Sequence, residues 1–180
     1  YYHIGGFSTG TYSIVVDTNT ISSYIWPSYD LDGTGTAHSA SVVMTNGQVR
    51  SDVDFGYQPL ALGGLVWLDT DKDGTQNEAS FITISNITVH LLDSQSNLLS
   101  TTETDTEGTY LFAVEEPGDY IVQFFPIQYE ISPKDQGGDD NNDSDSALSA
   151  PYKTDPITLA AAQRQTNWDL GVYLPDVTNS

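Results

Sequence analysis

Three carboxylates, Asp69, Asp71 and Asp73, stand at alternate positions in the run Asp69-Thr70-Asp71-Lys72-Asp73-Gly74, directly ahead of a glycine that permits a sharp turn. A hard divalent cation needs this kind of oxygen-rich loop: Ca²⁺ takes about 6–8 oxygens at roughly 2.3–2.6 Å. Thr75, Asn77 and Glu78 add side-chain oxygens just downstream. The helix–loop–helix calcium template wants Glu six residues after the glycine, but Ser80 stands there and Glu78 comes two residues early. The run Gly64-Leu65-Val66-Trp67-Leu68 enters the loop without helical periodicity, so the loop is expected on a β scaffold. Carboxylates this close repel one another, and a bound cation removes that cost. The alternative is a solvated acidic turn that holds no metal.

A second cluster is Asp139-Asp140-Asn141-Asn142-Asp143-Ser144-Asp145, where five carboxylates from Asp135 to Asp145 are answered only by Lys134. Asp143 and Asp145 have counterparts in Asp30 and Asp32, whose surroundings are otherwise not acidic, and Asp169 has one in Asp54. Asp54 and Asp169 each sit beside large apolar residues, Phe55 and Tyr57 or Trp168 and Leu170. A carboxylate in such a place needs a partner, and a cation shared with the Asp-x-Asp loop would supply it. Asp105, just before Glu107-Gly108, is a weaker metal candidate whose alternative role is to cap its turn.

The elements that must position these loops are strands. Alternating or β-branched runs recur at Tyr12–Val16, Ser41–Met44, Leu62–Leu68, Ile87–Leu92, Thr109–Val114, Tyr120–Phe125 and Trp168–Tyr173. Asn46-Gly47 suits a two-residue hairpin, while Asp32-Gly33, Glu107-Gly108 and Pro117-Gly118 mark other turns. Only Leu159–Arg164 tolerates helix, and it matches a hairpin elsewhere in the chain. The chain is therefore all-β.

An internal repeat organises it. Tyr2…Gly10-Thr11-Tyr12 overlays Tyr110…Gly118-Asp119-Tyr120 at an offset of 108, Asp30 and Asp32 overlay Asp143 and Asp145 at 113, and Asp54-Phe55-Gly56 overlays Asp169-Leu170-Gly171 at 115. The first copy has no counterpart of Gly63–Gly108, 46 residues holding several strands, so the chain is expected to begin inside a domain as an excised or mature piece. The short Pro59-containing connector between Tyr57 and Gly63 is expected to be stiff. The boundaries that follow are residues 1–59 for the back half of one repeat, 60–176 for a complete one, and 177–180 for the start of a further linker.

Composition narrows the function. The 180 residues carry a net charge of −20, which repels nucleic acid and anionic lipid, yet 38% hydrophobic and 11% aromatic content demands a folded core. Without cysteine there is no disulfide, thiolate metal site or cysteine nucleophile. Leu60–Leu68, the longest apolar stretch, is far below the ~20 residues of a spanning helix. Gly6-Phe7-Ser8-Thr9-Gly10 spells a nucleophile elbow, but a strand follows where a helix is required, and Ser8 falls opposite Glu116. His3, His38 and His90 stand alone, without metal-ligand or triad spacing. No enzyme is expected.

The ordered landmarks Gly64-Leu65-Val66-Trp67-Leu68-Asp69…Asp73-Gly74, Thr104-Asp105…Gly108-Thr109-Tyr110-Leu111-Phe112, Pro117-Gly118-Asp119-Tyr120, Asp143-Ser144-Asp145 and Asp169-Leu170-Gly171 resemble the B-type repeat of serine-aspartate repeat surface adhesins, within the collagen-adhesin B-type superfamily. The resemblance covers residues 61–175, and Tyr2–Tyr57 resembles the last half of another repeat. It implies tandem prealbumin-like or immunoglobulin-like β-sandwiches, the first N-terminally incomplete, in a secreted or cell-surface protein. It also implies Ca²⁺ ligands at Asp69, Asp71 and Asp73 and in the Asp143-Ser144-Asp145 group. The Lys–Asn isopeptide crosslink of related domains is not expected, because Gly63–Leu68 holds no lysine. The expected function is a calcium-rigidified stalk or fibre module, contacting neighbouring repeats or other copies of itself and open to filament assembly. The alternative is an adhesive module for a protein or glycan.

Overall fold

The computed structural model describes residues 2–21 and 25–176. Twelve strands and two short 3₁₀ turns, Thr18–Thr20 and Thr34–Thr36, make up its regular structure. The strands are β1 Gly10–Val15, β2 Ile25–Tyr29, β3 Ser39–Met44, β4 Gly56–Leu68, β5 Thr88–Asp93, β6 Leu98–Glu103, β7 Thr109–Val114, β8 Gly118–Phe125, β9 Glu130–Ile131, β10 Ile157–Leu159, β11 Arg164–Gln165 and β12 Leu170–Tyr173. The chain forms two compact units, Tyr1–Pro59 and Leu60–Ser180. No helix of the described residues is long and apolar enough to cross a membrane.

The second unit is a β-sandwich. One sheet runs β10-β8-β5-β6, and the other is built on β4, which pairs antiparallel with β7 and parallel with β11 and β12. Period-two alternation turns Tyr110, Phe112 and Val114 of β7 inward and leaves Thr109, Leu111 and Ala113 outside. Tyr110 meets Phe124 of β8 edge-on at 5.6 Å between ring centroids, joining the sheets across a core of Leu60, Leu62, Val66, Trp67, Val89, Val122 and Leu170. The crowded centre explains the glycine pair in β4. A Cβ on Gly63 would lie 2.4 Å from the Tyr110 carbonyl, and one on Gly64 2.1 Å from that of Trp168.

In the first unit β1 pairs antiparallel with β3, and the opening residues of β4 pair with β2. Several individual contacts of the second unit recur in the first. Tyr12 stands opposite Val42 and Gly10 opposite Met44, as Tyr120 stands opposite Ile157 and Gly118 opposite Leu159. The Tyr12 hydroxyl donates to the Ser8 carbonyl as that of Tyr120 does to Glu116. Tyr2 donates to the Val53 carbonyl as Tyr110 does to that of Trp168. In the turns Thr45–Gln48 and Ala160–Gln163 the glutamine side chain accepts the first residue's N–H in the same way.

The helix-tolerant Leu159–Arg164 is thus the end of β10, this turn and the start of β11. β2 and β6 escape sequence reading because Ile25-Trp26-Pro27 carries a proline and Leu98–Glu103 lies largely exposed, without an inward face. Trp168 and Asp169 precede β12 rather than lying in it.

Candidate metal centre

The Asp69 loop is closed by its own first carboxylate. Buried at the end of β4, Asp69 accepts the N–H groups of Lys72 at 2.7 Å, Asp73 at 3.3 Å and Gly74 at 2.8 Å. Gly74 carries φ 83°, a value glycine adopts without strain. Oxygens of Asp69, Asp71 and Glu78 lie within 4.8 Å of one another. Burial raises the Glu78 carboxyl, and desolvation followed by the charge of Asp73 raises that of Asp71. Asp73 points to other work: it accepts from the N–H and hydroxyl of Thr75 and from Asn77, bonds that lower its carboxyl.

The second acidic loop is knitted to the first. The Gln76 N–H donates to the Asn142 carbonyl at 2.8 Å, and the Ser144 N–H donates to that of Gly74 at 3.1 Å. Within it, oxygens of Asp135, Asp140, Asp143 and Asp145 lie within 4.8 Å of one another. Asp139 stays out of this group and caps its own turn through Asn141 and Asn142. Asp143 and Asp145 are buried, and desolvation first, then neighbouring carboxylates, push their carboxyls up to about 6 and about 8. Asp169, pushed up to about 6 mainly by burial, accepts from the Leu65 N–H and the Gln76 amide at 2.7 Å each, and its own N–H donates to Asp145 at 2.5 Å.

These donors fit a hard cation. Glu78 Oε2 and Asp143 Oδ1 are buried without a hydrogen-bond partner, and a buried carboxylate oxygen left this way is costly unless something positive satisfies it. Asp135 and Gln76 join the expected residues. Asp135 reaches the cluster from a left-handed turn, φ 53°, that no spacing rule announces. In the first unit, Asp30 is buried with Oδ2 unpartnered, and its Oδ1 accepts the Asp32 N–H. Asp32 accepts from Ser41 and Thr36 instead. Asp54 is exposed, unlike its counterpart Asp169, which is buried and accepts the Leu65 N–H.

Asp71→Ala is expected to abolish or sharply weaken the response of the second unit to Ca²⁺, read as the shift of melting temperature on adding the ion. Asp93→Ala, which removes the acceptor for Gln95 and Asn97 in a remote turn, should lower the melting temperature slightly and leave that shift intact. Equal shifts in wild type and Asp71→Ala would remove the first loop from the site.

Residues 60–172 match the family model described as the SdrD B-like domain. The fibrinogen-binding protein of Staphylococcus epidermidis is 37% identical over 153 residues, a match covering 80% of this chain and 14% of that protein. Serine-aspartate repeat-containing protein E of Staphylococcus aureus (strain USA300) is 32% identical over 182 residues, covering 97% of this chain and 16% of that protein. Protein D of the same series (strain Newman) is 34% identical over 156 residues, covering 83% and 12%. The chain thus spans a small part of the length of these relatives. Among solved structures the Bacillus anthracis TIE protein covers 76% of this chain and 24% of its own at 11% identity and a TM-score of 0.40, too distant to carry an argument.

Proposed function

The chain belongs to the SdrD B-like domain family, whose members are structural modules rather than enzymes, and on that premise we propose that it is a stalk module of an extracellular cell-surface protein, stiffened by Ca²⁺. The observation that carries this reading is the pair of adjoining acidic loops with buried, unpartnered oxygens on Glu78 and Asp143. One ion would be held by Asp69, Asp71 and Glu78 in the first loop and another by Asp135, Asp140, Asp143 and Asp145 in the second. Bound there, such ions would supply positive charge that offsets the repulsion among the carboxylates of each loop and would stiffen two loops already joined by the Gln76–Asn142 and Ser144–Gly74 hydrogen bonds. Its neighbours would be further repeats of the same protein or other copies of it.

An adhesive role draws less support. Phe81 is the single aromatic ring among the exposed large apolar side chains of the second unit's described residues, whereas a sugar or protein platform calls for several.

Calorimetric titration of the chelator-treated whole chain with Ca²⁺, beside single-molecule pulling with and without the ion, tests the reading. Saturable binding together with a higher unfolding force in Ca²⁺ supports it. Absence of binding heat, an unchanged force and no metal in the purified protein would overturn it.

A further inference from the structure

In the second acidic loop one positive charge stands among the carboxylates. Lys134 is bridged to Ser144 in parallel register, and the Asp135 N–H donates to the Ser144 carbonyl at 2.9 Å, so the main chain fixes this lysine beside the cluster. Its Nζ lies 3.1 Å from Asp135 Oδ2 and 2.7 Å from Asp155 Oδ2. Asp155, whose side chain is 82% exposed, stands outside the group formed by Asp135, Asp140, Asp143 and Asp145. Among the described residues no other basic side chain is ion-paired with a member of that group. The group itself points to a cation through Asp143, which is 3% exposed and whose Oδ1 has no hydrogen-bond partner. The lysine of the first loop is placed otherwise. Lys72 Nζ pairs with Asp176 at 2.9 Å and lies 4.7 Å from the centre of the Tyr173 ring, rather than pairing with a carboxylate of its own cluster.

Resting on the reading that a cation sits among these four carboxylates, we propose that Lys134 sets the affinity of the second loop and its preference among ions of different charge. The ammonium is a tethered counter-cation. Without the ion it offsets part of the repulsion among the carboxylates and holds the loop folded. With the ion it is a like charge one carboxylate away, and it weakens binding by Coulomb repulsion. It also competes for Asp135, because an oxygen drawn to the ammonium is less available to the ion. Asp155 relieves that competition: the shorter of the two contacts, 2.7 Å against 3.1 Å, goes to a carboxylate outside the cluster. Repulsion of this kind scales with the charge of the ion, so Lys134 penalises a trivalent ion more than a divalent one. A lysine that only packed the loop would act in one direction, and its removal would lower stability and affinity together.

Titrations of the chelator-treated whole chain with Ca²⁺ and with La³⁺, followed at the main-chain amide NMR signals of Asn142 and Ser144, test the assignment. Lys134→Met should bind Ca²⁺ about fivefold and La³⁺ about tenfold more tightly than the wild type, the order expected for one unit charge removed at close range in a solvated loop. In chelator the same variant should melt at a lower temperature. Lys134→Arg, which keeps the charge, should resemble the wild type in both measurements. Asp155→Asn alters an exposed side chain and should weaken Ca²⁺ binding about threefold by leaving the ammonium to Asp135 alone. Lys72→Met changes the net charge equally from the first loop and should move the affinity at Ser144 much less. Unchanged or weaker binding by Lys134→Met, or equal gains for the two ions, would overturn the proposal and leave the ion reading intact. Should Lys134→Met fail to fold, unchanged or tighter Ca²⁺ binding by Asp155→Asn overturns it instead. A wild-type chain whose Asn142 and Ser144 signals do not respond to Ca²⁺ would overturn both the proposal and the reading it rests on.

Discussion

In chelator, the stability of the second unit is expected to fall as pH rises from about 4 to 8, and Ca²⁺ to cancel most of that fall. The carboxyls of Asp143 and Asp169 are pushed up to about 6 and that of Asp145 to about 8, against an ordinary value of 3.8. Between these values the folded protein binds more protons than the unfolded chain, so raising the pH removes stability. Two pKa units on a group such as Asp169 correspond to about 3 kcal/mol, and the three groups lie in one network, so their effects do not simply add. A cation supplies at high pH the positive charge that protons supply at low pH. Binding to the folded state alone adds about 2.7 kcal/mol at a hundredfold excess over Kd. Melting curves at pH 4.5, 6 and 8, with chelator and with millimolar Ca²⁺, measure both slopes. Parallel slopes in the two conditions would mean that the ion does not reach Asp143, Asp145 and Asp169.

Gly64→Ala should unfold the second unit or cost it more than about 4 kcal/mol, among the largest effects of a single methyl group. The new carbon would sit 2.1 Å from the Trp168 carbonyl oxygen and 2.6 Å from its carbon, both main-chain atoms that no rotamer change can move aside. Relieving the clash means parting β4 from the segment entering β12, which also breaks the bond from the Leu65 N–H to Asp169 and the one from the Trp168 N–H to the Gly63 carbonyl. Gly118→Ala is the control: its nearest neighbour is the Tyr120 ring at 3.7 Å, its φ is not positive, and it should change stability by less than about 1 kcal/mol. Urea unfolding of both variants decides the matter. A Gly64→Ala midpoint close to wild type would show that β4 and Trp168 do not approach as described.

Much of this protein is legible from residue order because its signals are local or are written twice. Period-two alternation marked β7 and β8, since a strand with one buried face must repeat its apolar residues every second position. The repeat was read from Tyr2, Gly10 and Tyr12 against Tyr110, Gly118 and Tyr120, and the hydroxyls of Tyr12 and Tyr120 bond back alike to Ser8 and Glu116; that Gln48 and Gln163 close like turns emerged only from the fold. The acidic loops were likewise visible as runs. Which of their carboxylates meet was not, because that depends on how each loop folds: Asp73 and Asp139 turn back to satisfy their own neighbours, whereas Asp135, five or more residues from the rest of its cluster, is swung into it. Asp54 and Asp169 make the same point most sharply. They occupy one position of the repeat, and by sequence they are alike. Only the fold separates them: β4 donates the Leu65 N–H to the buried Asp169, whereas among the described residues Asp54 is exposed and no strand donates to it.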